Sequence, residues 1–365
     1  MSQQVIDISS LLQPISAESS AGADLRSDTS PTSLYAQIRD ARKAARAAER
    51  TNMFDRSNPE ADEGWRKVAD LAPKALRERS KDLEVAAWFT ESLIRRHGFA
   101  GARDGFALIR GLVEGFWDNL YPLPDEDGIA TRVASLTGLN GEGAEGVLIA
   151  PIRTAFITES GPDGAFAYWQ YKQAVEAQRI SDDAARGEQI AKNGFSLDDI
   201  LKSVEESSSE FYVRLRDDVS GALEEYQHVG DILMEKCGAS DAPPTSNIVT
   251  ILGDVLGAIN HIAKHKLPAE ESAQTDAGES NGVGTGGVAF TGNIKTRHEA
   301  FQQLNQISQF FRRTEPHSPV SYIIEKAVRW GNMSLSELMD ELIPDSNSRT
   351  TYSSLTGVTP GNPEQ

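Results

Sequence analysis

A single cysteine, Cys237, stands in the whole chain, so no disulfide can close within it and no multi-thiolate zinc site can form. Long apolar runs are missing too. Nothing approaches the roughly 18 consecutive apolar residues of a membrane-spanning helix, and the opening M-S-Q-Q-V-I-D-I-S-S has neither the basic nor the apolar block of a secretory leader. The expectation is a cytoplasmic protein with no direct membrane insertion. Basic residues are scarce beside acidic ones, 36 against 54, for a net charge of −18. Such a surface repels phosphate backbones and anionic lipids, which excludes broad nucleic-acid binding and favours protein partners. The signatures of common chemistry are absent as well: no G-x-S-x-G, no P-loop, no H-E-x-x-H and no cysteine with a plausible base nearby. No cofactor is expected, and the chain reads as a non-enzyme.

What is present is helical. The chain has 365 residues, 39% apolar and 25% charged, enough for several cores, and the pattern predicts an all-α, multi-domain protein. Residues 1–33 mix Ile6, Ile8, Leu11 and Leu12 with turn chemistry and read as a flexible N-terminal arm. Residues 34–160 read as a helical N-terminal domain. It starts with the basic helix from Tyr35 to Arg50 and continues through Trp65, Val68, Ala72 and Leu76, then Leu83 to Ile94. Arg95, Arg96 and His97 complement a helix end at Gly98, and Phe106, Ile109, Val113, Phe116, Trp117 and Leu120 give a wide apolar face. V-L-I-A-P-I-R-T-A-F-I-T looks β-like, but Pro151 argues against a central strand. It reads as apolar chain packed on the first domain.

Residues 165–267 read as a helical middle domain. Between Ser181 and Asp241 acidic residues outnumber basic ones by more than two to one, a solvated face or a surface for a basic partner. The pattern predicts separate helices on either side of residues 216–222, and a later one capped by Ser246. Residues 268–293 form a Gly/Ser-rich linker. Residues 294–344 form a small helical element and 345–365 a disordered tail. The element carries the densest positional information, R-R-T-E-P-H-S-P-V-S-Y-I-I-E-K-A-V-R-W. Pro316 stops one helix, Ser318 caps the next and Pro319 opens it, with Val320, Ile323, Ile324, Ala327 and Val328 on one face. Three helices of this size expose more apolar surface than they can hide alone, so the element is expected to self-associate.

Several candidate sites of chemistry have simpler readings. Asp125, Glu126 and Asp127 lack the spacing of a calcium loop and suit a helix N-terminus. His261 and His265 are four apart, yet no third ligand is evident. Glu315 and His317 flank a rigid corner but come with no nucleophile or metal set. A metal-dependent hydrolase is therefore the weaker alternative, and a helical adaptor of another complex a second.

Two stretches carry a resemblance. Trp117, Leu120, Tyr121, Pro122, Asp127, Arg132 and Leu136 are similar to the W-x-x-L-Y-P, Asp and Arg pattern of the ImpA N-terminal domain. The E-P-H-S-P ending resembles the shorter branch of the TssA (ImpA) family of the bacterial type VI secretion system. That resemblance implies a homo-oligomeric ring that contacts baseplate, inner-tube and sheath proteins and is linked to the membrane complex. The oligomerisation residues it suggests here are Phe311, Glu315, Pro316, His317, Ser318, Pro319, Val320, Ile323, Ile324, Ala327 and Trp330.

Overall fold

A computed structural model describes residues 3–51, 58–159 and 164–268, together with 301, 304, 305, 307–309, 311, 312 and 320–333. The chain divides into two compact units, Met1–Gln274 and Thr275–Gln365. Among the described residues the regular structure is helical, and the only β pairing is isolated bridges.

The first unit is organised around α4 (Leu83–Phe116), the longest helix of the described chain. Asp82 starts it: the carboxylate accepts the Val85 N–H at 3.0 Å, satisfying one of the first-turn donors. Gly98 breaks it, with φ of 56° and ψ of −133°, a conformation that a side chain would strain. Before the break α4 packs with α2 (Leu34–Thr51) and α3 (Pro59–Glu78); after it, α4 runs along α10 (Ser209–Cys237). The ion pairs follow the same division. Arg42 of α2 reaches Glu91 and Glu49 of α2 reaches Arg95, whereas Arg103 pairs with Asp218 and Arg110 with Glu225 of α10.

The N-terminal residues differ from the flexible arm expected of them. Helix α1 (Ile8–Leu11) buries Leu11, and the Asp104 carboxylate accepts the Val5 N–H at 2.6 Å. Leu12 lies over Gly111 of α4, and Arg26 bridges Asp82 and Glu84. Apolar residues at 5, 6, 11 and 12 carry this docking, which turn-rich composition around them obscures.

The middle region also departs from a separate domain. One continuous core joins Leu11 through Phe116 to Tyr212, Val219, Tyr226, Leu252, Ile259 and Ala263. Phe106 and Tyr226 stack at 4.6 Å between centroids across the α4–α10 seam. Helix α10 runs unbroken through 216–222, where two helices are expected from the sequence. Gly221 there lets the Arg103 side chain cross, since a Cβ would meet it at 3.1 Å.

The remaining helices are shorter. Helix α5 (Ile129–Asn140) follows the family stretch. The β-like run contains α6 (Ile149–Thr154), where Pro151 sits in the first turn and its missing N–H has no helical partner to lose. Helices α7 (Tyr168–Gln178), α8 (Asp183–Asn193) and α9 (Leu197–Glu206) lead to α10, and α9 opens on a Ser196–Asp199 capping box. Helix α11 (Ser246–Ile262) begins one residue earlier than expected: Thr245 is its N-cap, without a side-chain cap bond, and Ser246 is already helical. In the second unit, α12 (Val320–Asn332) is preceded by helical residues that include Ser308 and Arg312.

Candidate functional site: a closed junction and an open helix

The Trp117 to Arg132 stretch folds into a junction at the C-terminal end of α4. Trp117–Asn119 form a 3-10 turn, and Leu120 is fully buried. Tyr121 then runs alongside the start of α4: its N–H donates to the Lys81 carbonyl at 3.0 Å, and its carbonyl accepts the Leu83 N–H at 2.7 Å. The Tyr121–Pro122 peptide is cis. Arg132, from the first turn of α5, reaches back under this turn. It donates to the Trp117 carbonyl at 2.7 Å and the Pro122 carbonyl at 3.2 Å, and its guanidinium lies 5.0 Å from the Trp117 ring centroid. Burial pushes its pKa down. The planar fork suits a double carbonyl contact made with the guanidinium face over the Trp117 ring, an arrangement a lysine reproduces less well.

Asp127 is exposed and does not complete the motif. Asp125 does the local work, accepting from the Thr131 hydroxyl and the Asp127 N–H.

Two residues missed in the sequence support the junction from beneath. Lys81 is fully buried and donates to the Leu11 and Leu76 carbonyls, both at 2.7 Å, joining the ends of α1 and α3. Burial lowers its pKa to about 8. Asp82 is fully buried too, at 2.7 Å from Arg26. Asp82 was legible as a cap, since Asp stands just before an apolar periodic run with Glu84 in the first turn. Nothing local signals the burial of Lys81. The adjacent cleft of about 280 Å³ is lined by Ala17 to Gly22, Asn119 and Tyr121 and offers no paired acid and base. Among the described residues no group of three or more His, Cys, Asp or Glu could hold a metal. His261 and His265 diverge at the end of α11, and His265 lies 3.1 Å from Glu205.

The C-terminal helix is built differently. Its expected single apolar stripe divides into two. Ser321 and Val328 are buried and Ile324 half-buried, while Val320, Ile323 and Ala327 face outward, Ile323 at 64% exposure beside Tyr322 at 58%. Ser308 fastens the inner side through the Ser321 carbonyl at 2.9 Å, and Arg312 pairs with Glu325 at 2.9 Å. Phe311 and Trp330 are half-buried; the Trp330 indole N–H has no acceptor, and Lys326 lies 4.8 Å from its ring. Glu315, Pro316, His317, Ser318 and Pro319 lie outside the described residues.

The described residues contain no helix long and apolar enough to cross a membrane. The family model described as ImpA, N-terminal, type VI secretion system matches residues 12–141, a span that includes the whole junction. The N-terminal domain, including the conserved ImpA_N region, of the TssA component of the type VI secretion system from Burkholderia cenocepacia shares the fold. Its TM-score is 0.58 at 28% identity, covering 73% of this chain and 97% of that one. Together with the all-helical core, these define an ImpA N-terminal protein. A further relative extends the likeness through the C-terminal unit: the type VI secretion system component TssA1 of Pseudomonas aeruginosa is 25% identical over 356 residues, covering 94% of this chain and 97% of the relative. The chain is thus similar to TssA proteins in its ImpA N-terminal region and along nearly its whole length.

Proposed function

We propose that the chain is a non-enzymatic structural and assembly component of the type VI secretion system, acting in the cytoplasm. It forms an oligomeric ring through its C-terminal unit. In that ring it contacts baseplate, inner-tube and sheath proteins during biogenesis and is linked to the membrane complex, in the manner of the family's shorter branch.

The observation that carries this reading is the outward face of α12. Val320, Tyr322 and Ile323 are 37%, 58% and 64% exposed on a helix whose other face is already buried. An apolar surface of this kind on a small unit favours burial against further copies.

In Ile323→Asp or Val320→Asp, a charge forced into that contact should dissociate the ring, read by light scattering and negative-stain microscopy. Oligomers retained by both variants would defeat the role of this face. Sheath assembly that proceeds normally in a deletion strain would defeat the secretion role.

A further inference from the structure

The charge of α2 runs against that of the chain. Arg42, Arg46 and Arg50 follow one another at i, i+4 and i+8, with Arg39 and Lys43 beside them, so three guanidiniums line about 12 Å of one helix side. Like charges at this spacing destabilise a helix. Their orientation is nevertheless fixed. Arg42 is held by Glu91 at 2.6 Å and lies 5.4 Å from the Trp88 ring. Arg95 of α4, next to them, is held by Glu49 at 2.6 Å and lies 4.0 Å from the Trp65 ring. Buried Glu91 and half-exposed Glu49 pair with two of these cations, and among the described residues the half-buried Arg46 and the exposed Lys43 and Arg50 are in no ion pair of their own. Burial and the charges of Arg42, Arg50 and Arg95 push the Arg46 pKa down against the opposing pull of Glu91, the condition a further anion would relieve.

The complementary surface is on the same unit. Helix α10 turns Glu224, His228, Asp231 and Glu235 outward at i, i+4, i+7 and i+11. Among the described residues Glu224 accepts from the neighbouring Ser220 hydroxyl alone, and Asp231 and Glu235 are in no ion pair. These carboxylates span about 16 Å, long enough to cover the roughly 12 Å arginine ladder. Exposed Met234 lies between the last two, an apolar contact inside a charged rim. Helix α2 packs on α3 and on α4 before Gly98, whereas α10 packs on α4 after it. The two stripes thus belong to opposite halves of one unit.

We propose that the Arg42–Arg46–Arg50 ladder of α2 docks the Glu224–Asp231–Glu235 stripe of α10 from a second copy of this chain. The contact is heterologous, ladder to stripe, so each copy keeps one free stripe and one free ladder for the next. It is a second joint, separate from the α12 face, and would order the first units of neighbouring copies along one direction.

Zero-length carbodiimide coupling of full-length chains, mixed in isotopically light and heavy forms, tests it. Light-to-heavy links from the Lys43 amine to Asp231 or Glu235 are expected, and they should fall roughly tenfold at high salt. Arg46→Glu with Arg50→Glu should abolish them, and so should Asp231→Arg with Glu235→Arg, since each variant alone opposes like charges. Mixing the two variants should restore links in one direction only, from Lys43 of the second to Asp231 or Glu235 of the first, which also shows that both are folded. Links confined to single chains, links that persist within either variant alone, or no restoration on mixing would overturn the proposal.

Discussion

The junction at Trp117 to Arg132 and the helix α12 carry the two halves of the family resemblance, and they are finished to different degrees. In the junction polar groups end on named partners: Arg132 on two carbonyls, Lys81 on two more, Asp82 on Arg26 and the Val85 N–H. In α12, Ile323 and Tyr322 face outward and the Trp330 N–H has no acceptor. A set of buried polar groups that is fully paired specifies one conformation and offers little to a partner. A helix with an unspent apolar face does the reverse. The family pattern near the N-terminus is therefore a folding device, while the C-terminal one has the character of a joint.

The largest effects should separate the two. Ile323→Asp, which should dissolve the ring, is expected to leave the urea midpoint of the first unit unchanged. Arg132→Ala should do the opposite. It leaves the Pro122 carbonyl without its donor and the Trp117 carbonyl with only the longer bond from the Leu120 N–H, at a cost of about 1 to 3 kcal/mol in urea unfolding, with α12 untouched. Arg132→Lys should recover only part of this, because an ammonium lacks the planar face that lies over the Trp117 ring. An Arg132→Ala chain with unaltered stability would mean that the junction is held by its apolar parts alone.

How far the sequence announced this structure depends on the range of the interactions. Helix ends were legible where local chemistry decides them: Gly98 breaks α4, and Pro59 opens α3 after the Asn58 cap. The all-helical class followed from periodicity. Distant partners were not legible. The stretch 216–222 looked like a gap between helices because Asp217, Asp218, Ser220 and Gly221 are poor helix formers. Packing on α4 through Arg103, Arg110 and Phe106 keeps it helical. The N-terminal arm looked loose because Lys81 and Asp104, about 70 and 100 positions away, supply its anchors. Asp127 was grouped with Arg132 by the family pattern, yet the arginine is spent on backbone carbonyls.

Lys81 gives a pH test of how closed the junction is. Below about 8 its amine is charged in both the folded and unfolded chain. Between about 8 and its ordinary value of 10.5 the unfolded chain holds a proton that the folded chain does not, so stability rises with pH across that window. The rise should reach about 3 kcal/mol at most and be absent in Lys81→Met, compared by urea unfolding at each pH. A wild-type profile parallel to that of the variant would show that water reaches the amine.

The smallest effect asks whether the seam between the head of α10 and the chain at Glu159 is as finished as the junction. Ser208 caps α10 by accepting the Phe211 N–H at 3.1 Å, and its own N–H donates to Glu159 at 2.7 Å, while Ser207 accepts the Glu159 N–H at 3.0 Å. Ser208→Ala removes only the side-chain acceptor and should lower stability by about 1 kcal/mol, whereas Ser208→Gly should cost only a few tenths. The backbone bond to Glu159 survives in both variants, so the difference between them isolates the cap. Glu159→Gln keeps an acceptor for the Ser208 N–H and should fall below either. If Glu159→Gln instead costs more than Ser208→Ala, the charge at the head of α10 outweighs the cap, and the seam depends on the helix dipole rather than on hydrogen bonding.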